Sequence, residues 1–123
     1  TMAVMQSRDN RTYIAAADLS ADQFKFVKLG AGTVTRASTL GENCIGVLLN
    51  QPTNGNAATV CMTGKVMVKV GAVAVAAGAS VVTDANGLAK THAGAHVKMG
   101  YATEAGAAGQ IIAIELIQGG NTA

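Results

Sequence analysis

The sequence predicts an all-β fold, a small single-domain β-barrel or β-sandwich of about eight short strands with an extended N-terminal arm. Three observations predict it. Apolar runs of period two recur, most clearly in Lys65-Val66-Met67-Val68-Lys69-Val70, where the valines face one side and Lys65, Met67 and Lys69 the other. Turn signals separate these runs, the strongest being Asn86-Gly87. The one helix-start signal, Asp18-Leu19-Ser20-Ala21-Asp22-Gln23, supplies a cap and a single turn with nothing after it to sustain a helix.

Residues 1–17 carry no folding period and read as the extended arm, ahead of a β-domain over residues 18–118 and a flexible tail over 119–123. Phe24-Lys25-Phe26-Val27-Lys28-Leu29, the loop Gly30-Ala31-Gly32, and Thr33-Val34-Thr35-Arg36 predict a hairpin. Cys44 to Asn50 is mostly apolar and predicts a strand buried on both faces, ended by Pro52 and the turn-rich Thr53-Asn54-Gly55-Asn56. Ala57 to Thr63 resumes the sheet, followed by the alternating strand at Lys65. Asn86-Gly87 in a type I′ turn would end one strand near Thr83 and begin another near Leu88. Ile112, Ile114 and Leu116 form a last apolar face opposite Ala113 and Glu115. An internal echo links Ile45-Gly46-Val47-Leu48 to Met99-Gly100-Tyr101-Ala102. Glycine inside a strand marks a bend or a close backbone approach, so Gly46 and Gly100 are expected at barrel corners.

With 123 residues the chain fits one domain and buries roughly 65–70% of its unfolded surface. Of its residues 24 are Ala and 15 Gly, and aromatics make up only 3%, so the core is thin and built from Val, Ile, Leu and Met. A thin core gains stability by association, and Met67 and Ile111 on solvent-side strand faces point the same way, to an oligomer, most simply a trimer.

Nine basic and seven acidic residues give a net charge of +2, spread evenly along the chain. This disfavours nucleic-acid binding, which needs clustered cations. The densest spot is Arg8 and Arg11 around Asp9. Cys44 and Cys61 lie in apolar runs, where free cysteine acts as a small buried hydrophobe, and their spacing fits neither a metal knuckle nor a redox pair. The longest apolar run, Val70 to Val82, is short of a membrane span and broken by Gly71 and Gly78. With no signal peptide pattern ahead of the domain, the expectation is a soluble protein made in a reducing cytosol.

No constellation supports catalysis, a cofactor or a metal. Gly64-Lys65 lacks the first glycine and the Ser or Thr of a phosphate loop, since Thr59 and Val66 stand there. His92 and His96 have the helical spacing of zinc ligands but follow a hairpin strand, with no third ligand nearby. Asp18, Asp22, Asp84 and Glu104 sit in turn contexts, where capping backbone N–H groups is the ordinary role.

The ordered segments Ile45-Gly46-Val47-Leu48-Leu49-Asn50-Gln51-Pro52, Ala57-Ala58-Thr59-Val60, Thr63-Gly64-Lys65-Val66-Met67-Val68, Ala77-Gly78-Ala79-Ser80-Val81-Val82-Thr83-Asp84-Ala85-Asn86-Gly87 and Gly100-Tyr101-Ala102-Thr103-Glu104-Ala105-Gly106-Ala107-Ala108-Gly109 resemble the capsid cement, or head decoration, proteins of tailed bacteriophages. The similarity runs from Asp18 to Ile117, and its specificity lies in order and spacing. The resemblance implies a non-catalytic structural protein on the outer surface of the virion. It would be made in the host cytoplasm, bind the major capsid protein as a trimer and resist the pressure of packaged DNA, without touching nucleic acid or membrane. Flat strand faces suit that role, and the expected contacts are Lys65, Met67 and Lys69 on the β-domain, with Met5, Arg8, Arg11 and Tyr13 on the arm. The alternative is a non-catalytic β-sandwich module for carbohydrate or a host surface, for which a chain with no Trp and two Tyr is poorly equipped.

Overall fold

The computed structural model describes residues 6–117 and is all-β over that range. Nine strands make it up: β1 Gln6–Ala15, β2 Phe26–Leu29, β3 Thr33–Arg36, β4 Gly46–Leu48, β5 Ala57–Lys69, β6 Ser80–Thr83, β7 Ala89–Thr91, β8 Gly100–Ala102 and β9 Ile111–Leu116. They pair in the order β1-β3-β2-β4-β5-β9-β8-β6-β7, and an additional β1–β5 pairing closes the first five into a barrel. Closure leaves those five strands without the free edges at which sheets aggregate. On the other side of β5, an isolated bridge from Val70 to Ala89 brings β7 back to the end of β5, so the remaining strands curl into a second, looser ring.

The apolar residues divide accordingly into two cores. Ala15, Leu19, Val27, Val34, Leu48, Ala58 and Val60 fill the closed barrel. Phe26, Val47, Cys61, Val66, Val68, Val81, Ile112, Ile114 and others fill the space beyond it. Neighbours along a strand point to opposite faces. Val27 against Phe26, Leu48 against Val47, and Val60 against Cys61 therefore show that β2, β4 and β5 form a shared wall with a core on each side. This is why the Cys44 to Asn50 segment reads as a continuous apolar run rather than an alternating one, and all three residues of β4 are buried.

The two strands expected over Ala57 to Val70 are one strand, β5. Its periodicity breaks within it. Asn10 pairs with Cys61, Asp9 with Thr63 and Ser7 with Gly64, so β5 gains an extra residue at Met62 and β1 gains one at Arg8. An extra residue shifts side-chain parity. Even-numbered Ala58 and Val60 consequently face the barrel, whereas even-numbered Val66 and Val68 face the second core. Gly64, with a φ of 107°, sits at this change of face.

The extended N-terminal segment is, from Gln6 to Ala15, a strand of the barrel. It runs antiparallel to β5 and meets β3 in parallel at Ile14 and Ala15. The β2–β3 hairpin lies where expected, with Val27 opposite Arg36 and Leu29 opposite Val34. The hairpin at Asn86-Gly87 also forms, but its turn is not type I′: Gly87 has a φ of 77°, while Asn86 is not among the positive-φ residues. The Asp84 carboxylate accepts bonds from the N–H groups of Asn86 at 2.8 Å and Leu88 at 2.9 Å, and this stabilises a wider loop that needs the left-handed conformation once. Cys44 and Cys61 are both buried, and the Cys61 thiol donates to the Thr63 carbonyl oxygen at 3.1 Å. Met5 and the tail 119–123 lie outside the described residues.

Candidate interaction surface

The second half of β5 pairs with β9 so that Lys65 stands opposite Glu115, Met67 opposite Ala113 and Lys69 opposite Ile111. Residues directly opposite share a face. Strand β8 extends it, because Tyr101 pairs with Glu115. Val66, Val68, Ile112, Ile114 and Ala102 all turn into the second core, which leaves Lys65, Met67, Lys69, Ile111, Glu115 and Tyr101 on the outer side. Ile111 is 42% exposed and Tyr101 41%, Lys69 and Glu115 are exposed, Lys65 and Met67 are half-buried, and Ala113 opposite Met67 is fully buried. Lys98 lies over this face, with its ammonium 5.1 Å from the centre of the Tyr101 ring and donating to the Tyr101 hydroxyl at 3.3 Å. Lys98 and Tyr101 are not legible as members of this face in the sequence, because only the non-local β8–β9–β5 register brings them beside Lys65.

The arm residues divide. Arg11 is exposed and pairs with Asp9 at 3.3 Å, a contact that raises the Arg11 pKa through the hydrogen bond and charge of Asp9. Tyr13 is half-buried and packs against the barrel core on the same side as Ala15. Its partner across the sheet is Ala58, whereas Gln6 is the residue opposite Lys65. The start of β1 thus runs beside the Lys65 end of β5, with Arg8 as the extra residue of its bulge, and Tyr13 lies at the far end of the strand.

The remaining polar groups work as local braces. Glu42 accepts from the N–H groups of Ser38 at 2.6 Å and Thr39 at 2.8 Å, with the Lys28 ammonium 3.6 Å away. Burial alone would raise its pKa, but these donors and Lys28 outweigh burial and hold the carboxyl below its usual range. Burial, reinforced by Glu42, pushes the Cys44 thiol up to about 12, which makes it inert at neutral pH. His92 Nε2 lies 3.0 Å from the His96 carbonyl oxygen, so the histidine pair closes its own loop. Among the described residues no group of three or more His, Cys, Asp or Glu is placed to hold a metal. A mainly apolar pocket of about 280 Å³ opens between Leu40, Ala72, Val73, Asp84, Asn86 and Lys90, and the Asp84 carboxylate there is engaged by the N–H groups of Asn86 and Leu88.

A family model described as phage cement protein matches residues 5–116. The fold is also that of a solved structure, the head fiber gp8.5 N base in bacteriophage phi29. The two agree with a TM-score of 0.68 at 16% sequence identity, over 94% of this chain and 97% of that one. No curated protein matches the chain.

Proposed function

The chain belongs to the phage cement protein family and is a capsid-associated structural protein of the virion, and from that premise we propose that it binds the outer surface of the assembled head and stabilises the shell against the pressure of packaged DNA. The observation that carries this reading is the outer sheet face on β5, β9 and β8, exposed at Lys69, Ile111, Glu115 and Tyr101 and held rigid by a core directly beneath it. Clamping a shell requires contact area on a stiff support rather than a reactive pocket. A ligand that binds one state of a shell stabilises that state by its binding free energy.

The same reading makes the major capsid protein the partner and a trimer the working unit, formed after synthesis in the host cytoplasm. Two features support self-association: the cores hold only one fully buried aromatic side chain, Phe26, and Ile14 and Leu29 are 47% and 50% exposed. Several modest contacts made by one trimer would add by avidity.

The test is to add purified protein to DNA-filled heads that lack it, then locate it by electron microscopy and heat the heads while following DNA release. Density on the outer surface and release at a higher temperature are expected. Bound protein with no change in release temperature would leave attachment but remove the stabilising role. Sedimentation of the free protein as a monomer at micromolar concentration would overturn the trimer.

A further inference from the structure

We propose that the outer face of β5, β9 and β8 docks onto a carboxylate-bearing protein surface of the capsid shell, with Lys65, Lys69 and Lys98 surrounding an apolar centre of Met67, Ile111 and Tyr101. This rests on the capsid-binding reading above and names the chemistry of the partner.

The charge distribution carries the inference. Ion pairs among the described residues engage Arg11, Lys25 and Lys28, and none engages a lysine of this face. Three lysines outnumber the two carboxylates at this face, Glu115 and Glu104, whose carboxylate accepts from the Ala113 N–H at 3.2 Å, so the face keeps an excess of positive charge. An excess of one sign not taken up by ion pairs within the molecule is complementary to a surface of the other sign, and such complementarity steers encounter and fixes register. The apolar centre identifies the partner as protein. Phosphate backbones are held by cations and polar donors, whereas Tyr, Met and an exposed aliphatic beside cations match the composition of a protein interface. A second copy related by a two-fold axis would set these lysines against one another, which disfavours this face as a two-fold contact between copies.

The test measures binding of the purified protein to DNA-filled heads lacking it, at about 0.05 M and about 0.5 M NaCl, since screening acts over roughly 10 Å at 0.1 M salt. The variants are Lys65→Gln with Lys69→Glu, Ile111→Asp, Glu115→Gln, and Val73→Asp as a remote control on an exposed loop. Circular dichroism and thermal melts establish that each is folded. Binding by the wild type should weaken at high salt. The lysine double variant and Ile111→Asp should each weaken binding about tenfold or more, the double variant also flattening the salt dependence, while Glu115→Gln tightens it and Val73→Asp leaves it unchanged. Folded lysine variants that bind like the wild type at both salt concentrations would overturn the proposal. It would equally be overturned if those variants changed the sedimentation of the free protein instead of its head occupancy. Failure of the wild type itself to bind would overturn the capsid-binding reading on which it rests.

Discussion

The α-carbon of Gly46 sits so close to the carbonyl of Cys61 that a Cβ placed on it would run into that oxygen, well inside van der Waals contact. Gly100 stands in the same relation to the carbonyl of Glu115. Each glycine opens a three-residue strand that pairs antiparallel with a longer one, β4 with β5 and β8 with β9. The internal echo in the sequence therefore marks two equivalent places where one backbone lies against another.

Gly46→Ala and Gly100→Ala should each destabilise the domain by about 1–3 kcal/mol, because the obstructing atom is backbone and cannot rotate away. Thermal or urea unfolding measures it. A melting temperature unchanged within error for both would mean that the strands separate without cost.

The hairpin after β6 separates two positions that a type I′ turn would make equivalent. Asn86→Ala should cost less than about 0.5 kcal/mol. Gly87→Ala should cost about 1 kcal/mol or more, since Gly87 has a φ of 77° and a Cβ there would lie 3.1 Å from the Phe26 carbonyl oxygen. Asp84→Ala should cost about 1–2 kcal/mol through the two backbone N–H groups it leaves without their acceptor. Equal effects at Asn86 and Gly87 in denaturant unfolding would restore the I′ geometry.

Glu42 links stability to pH. Its folded pKa is held below the usual value of about 4.3, so it binds its proton less readily in the folded state than in the unfolded chain. Its contribution is thus fully present above the unfolded pKa and is lost as pH falls through the folded one. Glu42→Gln should lower stability by about 0.5–1.5 kcal/mol at pH 7, with the gap to wild type closing in acid below about pH 4. A gap that stays constant across that range would show that the carboxylate charge plays no part.

The cysteines provide a probe of opening. With Cys44 pushed up to about 12 and both thiols buried, an aromatic disulfide reagent should label the folded protein slowly and the denatured protein at once. Rapid labelling of the folded protein at pH 7 would show that the second core opens readily.

Much of this fold was legible locally. Alternation in Lys65 to Val70, the glycine-bearing loop between Phe26 and Arg36, and the Asn86-Gly87 hairpin each depend on residues a few positions apart, so their signals survive in a single sequence. The core-facing valines and the in-strand glycines followed from the same short-range reasoning, and so did the strand face bearing Lys65, Met67 and Lys69.

Only the tertiary structure decided that residues 6–15 anneal to β5, that Ala57 to Lys69 is one strand shared by two cores, and that Tyr101 and Lys98 join the lysine face. Strand pairing is chosen by backbone groups that every residue carries, so partner and register have no local code. A single bulged residue such as Met62 then reverses which side chains face inward, a change that period-two counting cannot detect. By itself the sequence determined a thin-cored β-protein with flat strand faces and local turns. The three-dimensional pairing determined which of those faces is supported from beneath and exposed, because that depends on contacts between residues far apart in the chain.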